Sequence, residues 1–319
     1  MILTVASPAP HSYFMPLLMP AGQSMKLAVV GSNGQLGTDM ISSATARGYE
    51  CCGVDVPDID IASQASIAHF LDRHAPDVVI NCAAYTAVDN CESDKDIAFK
   101  VNADGVANLA RCCQNAECDI VHISTDYVFD GTKTTPYLES DETCPQSIYG
   151  ASKLKGEVLL REQTDAWYIF RIAWLYGCNG SNFAKTIADV ARRKAREGAA
   201  LKVVDDQTGS PTYTREVCRQ ILAVIPLRRF GLYHCTAEGN CTWYDFARKI
   251  CEANAISVQL EPCATGEFPR PAPRPAYSVL ENAHLKNTGL QCMKHWETAY
   301  GDFLNESNSP PFAGGYVSE

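Results

Sequence analysis

The chain has no excess of positive charge, no C-x-x-C pair and no uninterrupted apolar run of membrane length, and each absence removes a class of protein. Thirty-seven acidic residues against 27 basic ones leave a net charge of -10. A nucleic-acid or anionic-membrane surface needs a basic footprint, so neither partner is expected. A phosphorylated small molecule stays compatible, because backbone N–H groups and one or two Arg hold phosphate locally. No stretch reaches the roughly 20 apolar residues that cross a bilayer. Fifteen cysteines resemble a disulfide framework, but the number is odd, Cys51–Cys52 and Cys112–Cys113 are adjacent, and Cys82 lies inside the apolar run VVINCAAY. They read as small buried hydrophobes, kept reduced in the cytoplasm, and no metal site is expected. The first 24 residues carry no Lys or Arg and four prolines, so they lack the basic n-region and unbroken h-region of a signal peptide. They are expected to form a flexible extension, with Met25 the effective start of the fold.

What is present is an ordinary globular composition, 46% hydrophobic and 20% charged over 319 residues, enough for a large domain and a smaller one. From Met25, strand-like apolar runs alternate with amphipathic segments. KLAVV (26–30), a helix from Gly34 to Arg47 and YECCGV (49–54) make a β-α-β unit, and DVVINCA (77–83), DIVHIS (119–124) and WYIFRIAW (167–174) are further buried strands. Asp94 to Cys113 reads as one long helix with Ile97, Val101 and Leu109 on its apolar face. Alternation of this kind predicts an α/β fold, a Rossmann-like doubly wound parallel sheet. After about Leu175, Gly, Pro and polar turns become frequent, and short helices (183–197, 212–225, 242–254) alternate with the short strands LKVV and GLYHC. The expected division is a dinucleotide-binding domain over 25–175, with part of the later chain returning to it, a smaller C-terminal substrate-binding domain over 176–305, and a flexible tail over 306–319.

Gly31-Ser-Asn-Gly34-Gln-Leu-Gly37 follows the first strand and opens the first helix. The first glycine permits a tight turn, the second lets the backbone approach a pyrophosphate, and the third lets the helix pack close to the sheet. The helix N-terminus then offers free N–H groups and a partial positive charge. Asp55, at the end of the second strand, is placed to accept hydrogen bonds from the adenosine ribose. A 2′-phosphate there would be repelled and no Arg follows closely, so Asp55 leans toward NADH over NADPH. Ala84-Tyr85-Thr86, past the third strand, is placed to contact the nicotinamide side.

Tyr149 and Lys153 lie at the start of a helix, one turn apart on one face. A phenol titrates near pH 10, and a nearby ammonium would lower that value toward the neutral range and suit it to proton donation to a carbonyl oxygen. Lys153 could also hydrogen-bond the nicotinamide ribose. Ser124-Thr125-Asp126 ends a strand about 25 residues earlier, where ligands of open α/β sheets collect, so the hydroxyls of Ser124 and Thr125 could orient a substrate carbonyl.

GSNGQLG, INCAAYTAVDNCE (80–92), VNADGVANLA (101–110), HISTDYVFDG (122–131), YGASKLKGE (149–157), RIAWLYG (171–177), NFAKT (182–186), DDQTGSPT (205–212), GLYHCT (231–236) and RPAYSVL (274–280) together resemble the dTDP-4-dehydrorhamnose reductases, a family of extended short-chain dehydrogenase/reductases. The likeness runs from about Lys26 to Tyr300. It implies NAD(P)H-dependent reduction of the C4 ketone of dTDP-4-dehydro-L-rhamnose. Tyr149 would be the proton donor, Lys153 its electrostatic partner, and Thr125 the residue tuning the donor–substrate hydrogen bond. Asp126 and Trp174 would sit beside the sugar nucleotide. The implied cofactor contacts are Gly34, Gln35, Leu36, Asp55, Asp60, Ala84, Tyr85 and Thr86. Some members bind magnesium through a Glu on the first helix; here Asp39 stands in that place with no other ligand evident, which leaves a metal-linked homodimer open.

Two alternatives use the same scaffold. One is another nucleotide-4-ketosugar reductase, or an epimerase or dehydratase; dehydratases of this type place Asp then Glu directly after the Thr, whereas Asp126 is followed by Tyr127 and Val128, so an elimination would lack its base. A non-catalytic subunit resembling the beta subunit of methionine adenosyltransferase shares the cofactor fold. The joint presence of Tyr149, Lys153 and Thr125 favours an enzyme.

Overall fold

Apolar runs in the first half of the chain become the strands of one parallel sheet. The computed structural model describes residues 25–307; the extension expected over 1–24 lies outside the described residues. In chain order these are β1 (Lys26–Val30), α1 (Gln35–Ala46), β2 (Glu50–Val54), α2 (Gln64–His74), β3 (Val78–Asn81), α3 (Val88–Cys91), α4 (Lys95–Phe99), a π-helical turn over Lys100–Asp104, α5 (Gly105–Asn115), β4 (Asp119–Thr125), α6 (Ile148–Gln163) and β5 (Trp167–Ile172). The remainder comprises β6 (Leu175–Tyr176), α7 (Phe183–Glu197), β7 (Leu201–Val204), β8 (Thr208–Gly209), β9 (Thr212–Tyr213), α8 (Thr214–Val224), β10 (Gly231–His234), β11 (Cys241–Thr242), α9 (Trp243–Ala253), β12 (Leu260–Cys263), α10 (Ala283–Asn287) and α11 (Trp296–Ser307). The tail expected from 306 starts inside α11, where Glu306 is paired to Arg215; 308–319 lie outside the described residues. Among the described residues no helix is long and apolar enough to cross a membrane.

The sheet order is β10-β5-β4-β3-β1-β2, and every pairing in it is parallel. Because side chains alternate along a strand, each strand feeds two cores. Leu27 and Val29 join α1 and α8 on one face, while Ala28 and Val30 join α2, α5 and α6 on the other. Strand order reverses between β1 and β3, and ligands of open sheets bind outside the carboxyl ends of the strands at such a point.

Two expectations are corrected. GLYH, grouped above with the short strands of the smaller part, is β10 and extends the main sheet beside β5. It does so because α8 crosses one face and returns the chain in parallel, with Tyr233 buried in the core of that face. The helix read over Asp94 to Cys113 is interrupted by the π turn at Lys100–Asp104. A π turn takes more residues than an α turn, so the apolar stripe rotates. Ile97 is consequently 51% exposed, while Ala98, Asn102, Val106 and Leu109 face inward.

That turn packs against α6 at Gly156, where an added Cβ would lie 2.1 Å from the Asn102 carbonyl oxygen. The smaller assembly has its own aromatic core of Tyr176, Phe246, Trp296, Tyr300 and Phe303, with β7 paired to β12. Gly156→Ala is expected to destabilise the fold by about 1–3 kcal/mol through this overpacking. Denaturant unfolding would measure it, and an unchanged midpoint would show that α6 has room to shift.

Candidate active site

The turn after β1 is shaped by its neighbours. Gly31 adopts φ 79°, and a Cβ there would meet the Ala83 nitrogen at 2.6 Å, so only glycine lets the β1 turn rest against the chain leaving β3. A Cβ at Gly37 would lie 2.2 Å from the Gly31 oxygen, whereas the nearest atom to one at Gly34 is that same oxygen at 3.2 Å. No other atom lies within 4 Å of that point, so beyond this one tight contact the backbone at Gly34 faces open space. α1 begins with no side-chain cap and no acid in its first turn, which leaves its N–H groups for an anion. These features fit a dinucleotide pyrophosphate. Leu36 puts its side chain into the core. Gln35 accepts from Asn182 Nδ2 at 2.7 Å and so ties the turn to the start of α7. Asp55 accepts from the Asn33 N–H at 2.9 Å and the Val56 N–H at 2.8 Å, bracing the turn from β2. Asp60 is exposed, and its carboxylate takes the Ala62 N–H at 2.9 Å.

Past β3, the segment Ala84–Thr86 is held by a residue that sequence reasoning did not single out. Asn102, in the π turn, accepts the Tyr85 N–H at 2.8 Å, donates to the Tyr85 carbonyl at 3.1 Å and donates to Ser152 Oγ at 3.0 Å. One buried amide thus links this segment to α6. The Tyr85 hydroxyl donates to Asp94 at 2.7 Å.

α6 starts at Ser147, whose side chain accepts the Gly150 N–H at 3.1 Å, and Glu92 takes the Ile148 N–H at 2.8 Å. A Cβ at Gly150 would lie 2.2 Å from the Tyr127 oxygen, so glycine after Tyr149 lets the helix close on the end of β4. Tyr149 lies edge-on to Tyr127 at 5.5 Å. Burial pushes its phenol above the ordinary range, the Asp126 charge adds to this, and a hydrogen bond with Thr125 pulls the other way. The lowering expected from Lys153 is absent. Lys153 is buried, its Nζ donates to the Ile123 carbonyl at 2.6 Å and lies 3.3 Å from His122 Nε2, and burial brings it down to about 8 against opposing effects of Glu157 and Cys82. The phenol is therefore held in its protonated form.

Thr125 is buried and donates to Asp126 Oδ1 at 2.9 Å. Asp126 Oδ2 is buried with no hydrogen-bond partner among the described residues, and burial lifts the carboxyl to about 6. Ser124 is not free for a substrate. Its hydroxyl donates to Glu157 at 2.5 Å, and Glu157 in turn pairs with Arg171 at 2.7 Å, so Ser124 belongs to the support of the site.

Trp174 follows β5 with φ 47°. Its ring stacks on Trp243 with centroids 3.4 Å apart, and Gly209 lies so close that a Cβ would meet the indole at 2.3 Å. Trp243, Gly209 and Asn102 are site components the sequence reading missed. Asp39 is buried and committed to Thr214, to Asn179 at 2.9 Å and to Arg215. Among the described residues no group of three or more His, Cys, Asp or Glu could hold a metal. All fifteen cysteines are unpaired.

A glycine turn at the switch point of a parallel sheet, with Tyr and Lys one helical turn apart beside the next strand's Ser-Thr end, defines the short-chain dehydrogenase/reductase class. Residues 25–309 match the RmlD substrate binding domain family, and the chain belongs to that family. It is 38% identical over 291 residues to a dTDP-4-dehydrorhamnose reductase of Mycobacterium tuberculosis, covering 89% of this chain and 94% of that one. The crystal structure of a dTDP-4-dehydrorhamnose reductase from Clostridium acetobutylicum superposes with TM-score 0.86 at 43% identity, over 89% of this chain and 100% of that one. The reductase of Bacillus anthracis, crystallised with NADP, gives TM-score 0.85 at 35% identity, again over 89% and 100%.

The raised Asp126 carboxyl carries a stability signature. The folded state holds this proton to about pH 6, so the contribution is full below the unfolded value and is lost as pH rises through 6. Asp126→Asn keeps the acceptor for Thr125 and removes the charge. It is expected to stabilise the protein by roughly 2–3 kcal/mol at pH 8 and by nothing at pH 3.5. Denaturant midpoints of both proteins at the two pH values decide; an equal difference at both would show that burial of Asp126 costs nothing.

Proposed function

We propose that the chain reduces the C4 ketone of dTDP-4-dehydro-L-rhamnose to dTDP-L-rhamnose with NADPH or NADH, Tyr149 giving the proton. The observation that carries this reading is the buried Tyr149 phenol, held protonated next to the Thr125 hydroxyl, in a chain of the reductase family. The reduced nicotinamide supplies the hydride when bound. Gly31, Gly34, Gln35, Leu36 and Gly37 would hold the pyrophosphate, Asp55 and Asp60 the adenosine side, and Ala84, Tyr85 and Thr86 the nicotinamide side. Thr125 would orient the ketone oxygen toward Tyr149, and Tyr149 would give its proton to that oxygen as charge develops there. Lys153 would hold the nicotinamide ribose. Asp126, whose buried Oδ2 has no hydrogen-bond partner among the described residues, would take a sugar hydroxyl, and Trp174 with its Trp243 backing would pack against the nucleotide sugar.

In this reading residues 25–175 with β10 form the cofactor half, and most of 176–305 the substrate half. Fifteen unpaired thiols fit the reducing cytoplasm. Coenzyme oxidation followed at 340 nm on adding the keto-sugar nucleotide tests the proposal. Tyr149→Phe is expected to lower kcat by about 10²–10⁴-fold while cofactor binding, read by fluorescence, is kept. Unchanged turnover in this variant would remove Tyr149 from the chemistry, and absence of any oxidation with an intact cofactor site would favour a non-catalytic subunit.

A further inference from the structure

The motif NFAKT has no part in the reaction above, yet its first residue stands between two parts of the site. Asn182 is the N-cap of α7, and its Oδ1 accepts the Lys185 N–H at 3.2 Å. Its Nδ2 donates to Gln35 Oε1 at 2.7 Å and to the Gly177 carbonyl at 2.8 Å. Gln35, the first residue of α1, reaches the Leu175 carbonyl through Nε2 at 3.4 Å. Lys185 Nζ closes the loop between these points, donating to the Cys178 and Gly180 carbonyls at 2.8 and 2.9 Å.

The donors present fix the direction of both amides. A backbone N–H only donates, so the Lys185 N–H takes the Asn182 oxygen and leaves its NH₂ to face the other way. An NH₂ group needs acceptors, which here are the Gly177 carbonyl and Gln35 Oε1. Gln35 then has only its own NH₂ for the Leu175 carbonyl. Both ends of the Gln35 amide are thus committed to the segment around β6 and to the start of α7. What Gln35 offers a pyrophosphate is the backbone at the N-terminus of α1.

On the other side of Asn182 lies the tryptophan pair. Phe183, the next residue, packs on Trp243 with ring centroids 4.3 Å apart, and Trp243 stacks on Trp174 at 3.4 Å. Leu175 and Gly177, whose carbonyls take the two amides, follow Trp174 in the chain. Trp174 is therefore held twice through Asn182: in its backbone by way of Gln35 and Gly177, and in its ring by way of Phe183 and Trp243. We infer that Asn182 is a positioning residue that couples occupancy of the glycine turn by coenzyme to the pose of Trp174, and so to affinity for the sugar nucleotide. Such coupling acts equally in both directions. The identity of the second ligand rests on the reductase reading; the tie itself does not.

Asn182→Ser tests it. Serine keeps a cap oxygen for the Lys185 N–H but is too short to reach Gln35, so the start of α7 is kept and the tie is cut. The probes are NADP⁺ for the glycine turn and thymidine diphosphate, which lacks the sugar that would meet the nicotinamide, for the other half. Calorimetry on the full chain is expected to show NADP⁺ tightening thymidine diphosphate about fivefold or more in the unaltered protein, and less than about twofold in Asn182→Ser and in Gln35→Leu. A purely structural role would weaken thymidine diphosphate equally with and without NADP⁺ and leave that ratio intact. Fluorine-19 NMR of the chain carrying 5-fluorotryptophan, its signals assigned in Trp174→Phe and Trp243→Phe, needs neither sugar nor turnover. NADP⁺ is expected to shift both signals in the unaltered protein and to shift them less than half as far in Asn182→Ser. Equal shifts in the two proteins, an unchanged affinity ratio in Asn182→Ser, or no coupling in the unaltered protein would each overturn the inference. Coupling that stands while no keto-sugar nucleotide is reduced would sink the reductase reading alone.

Discussion

The site depends first on a buried ion pair. Glu157 and Arg171 are 0% and 3% exposed in their side chains; both carboxylate oxygens take the guanidinium, at 2.9 and 2.7 Å, and Ser124 adds a bond at 2.5 Å. The Arg171 guanidinium also lies over the Phe129 ring at 5.1 Å. Such a pair contributes little net stability against an apolar replacement, because desolvation offsets the attraction. Its value is geometric. Tyr149, Lys153 and Glu157 are spaced by four on α6, so fixing Glu157 to β4 and β5 fixes the rotation that aims the other two at the strand ends.

Backbone proximity does the rest. α6 is clamped at its start and at its middle by glycines, Gly150 against the Tyr127 oxygen and Gly156 against the Asn102 oxygen. The first brings the phenol against the end of β4, and the second brings Ser152 within reach of the amide that positions Tyr85. Gly31 against Ala83 closes the third side. The three contacts place the turn after β1, the segment after β3 and the helix after β4 around one crevice, where the sheet's order reverses.

Much of this was legible in the sequence because it is local. Strands of apolar residues, a glycine turn between strand and helix, and Tyr149 four residues before Lys153 are patterns within a few residues of one another. The missing parts are pairs far apart in the chain. His122 and Asn81 sit in apolar runs that read as plain core, and nothing near either one points to the other, 41 residues away. Spacing placed Lys153 on the face of Tyr149 but said nothing about where a four-carbon side chain ends, which is why the ammonium expected beside the phenol is found on the Ile123 carbonyl. The π turn escaped for a related reason: a helix that widens for one turn keeps its apolar residues at nearly α-helical spacing, so periodicity put Ile97 inside when it faces water.

Trp174 shows the same limit from the other side. Its position after β5 marked it for the cleft, but its conformation is a bulky side chain at φ 47°, which costs of order 1–3 kcal/mol and persists only where the surroundings over-determine it. Those surroundings are Trp243 at the start of α9, held by Gln207 at 3.0 Å, and Gly209, whose missing side chain leaves room for the indole edge. Both come from the smaller assembly, while Trp174 leaves the main sheet. The strained residue is therefore the joint at which the main sheet meets the smaller assembly, and its ring can keep that pose only while Trp243 and Gly209 stay in place.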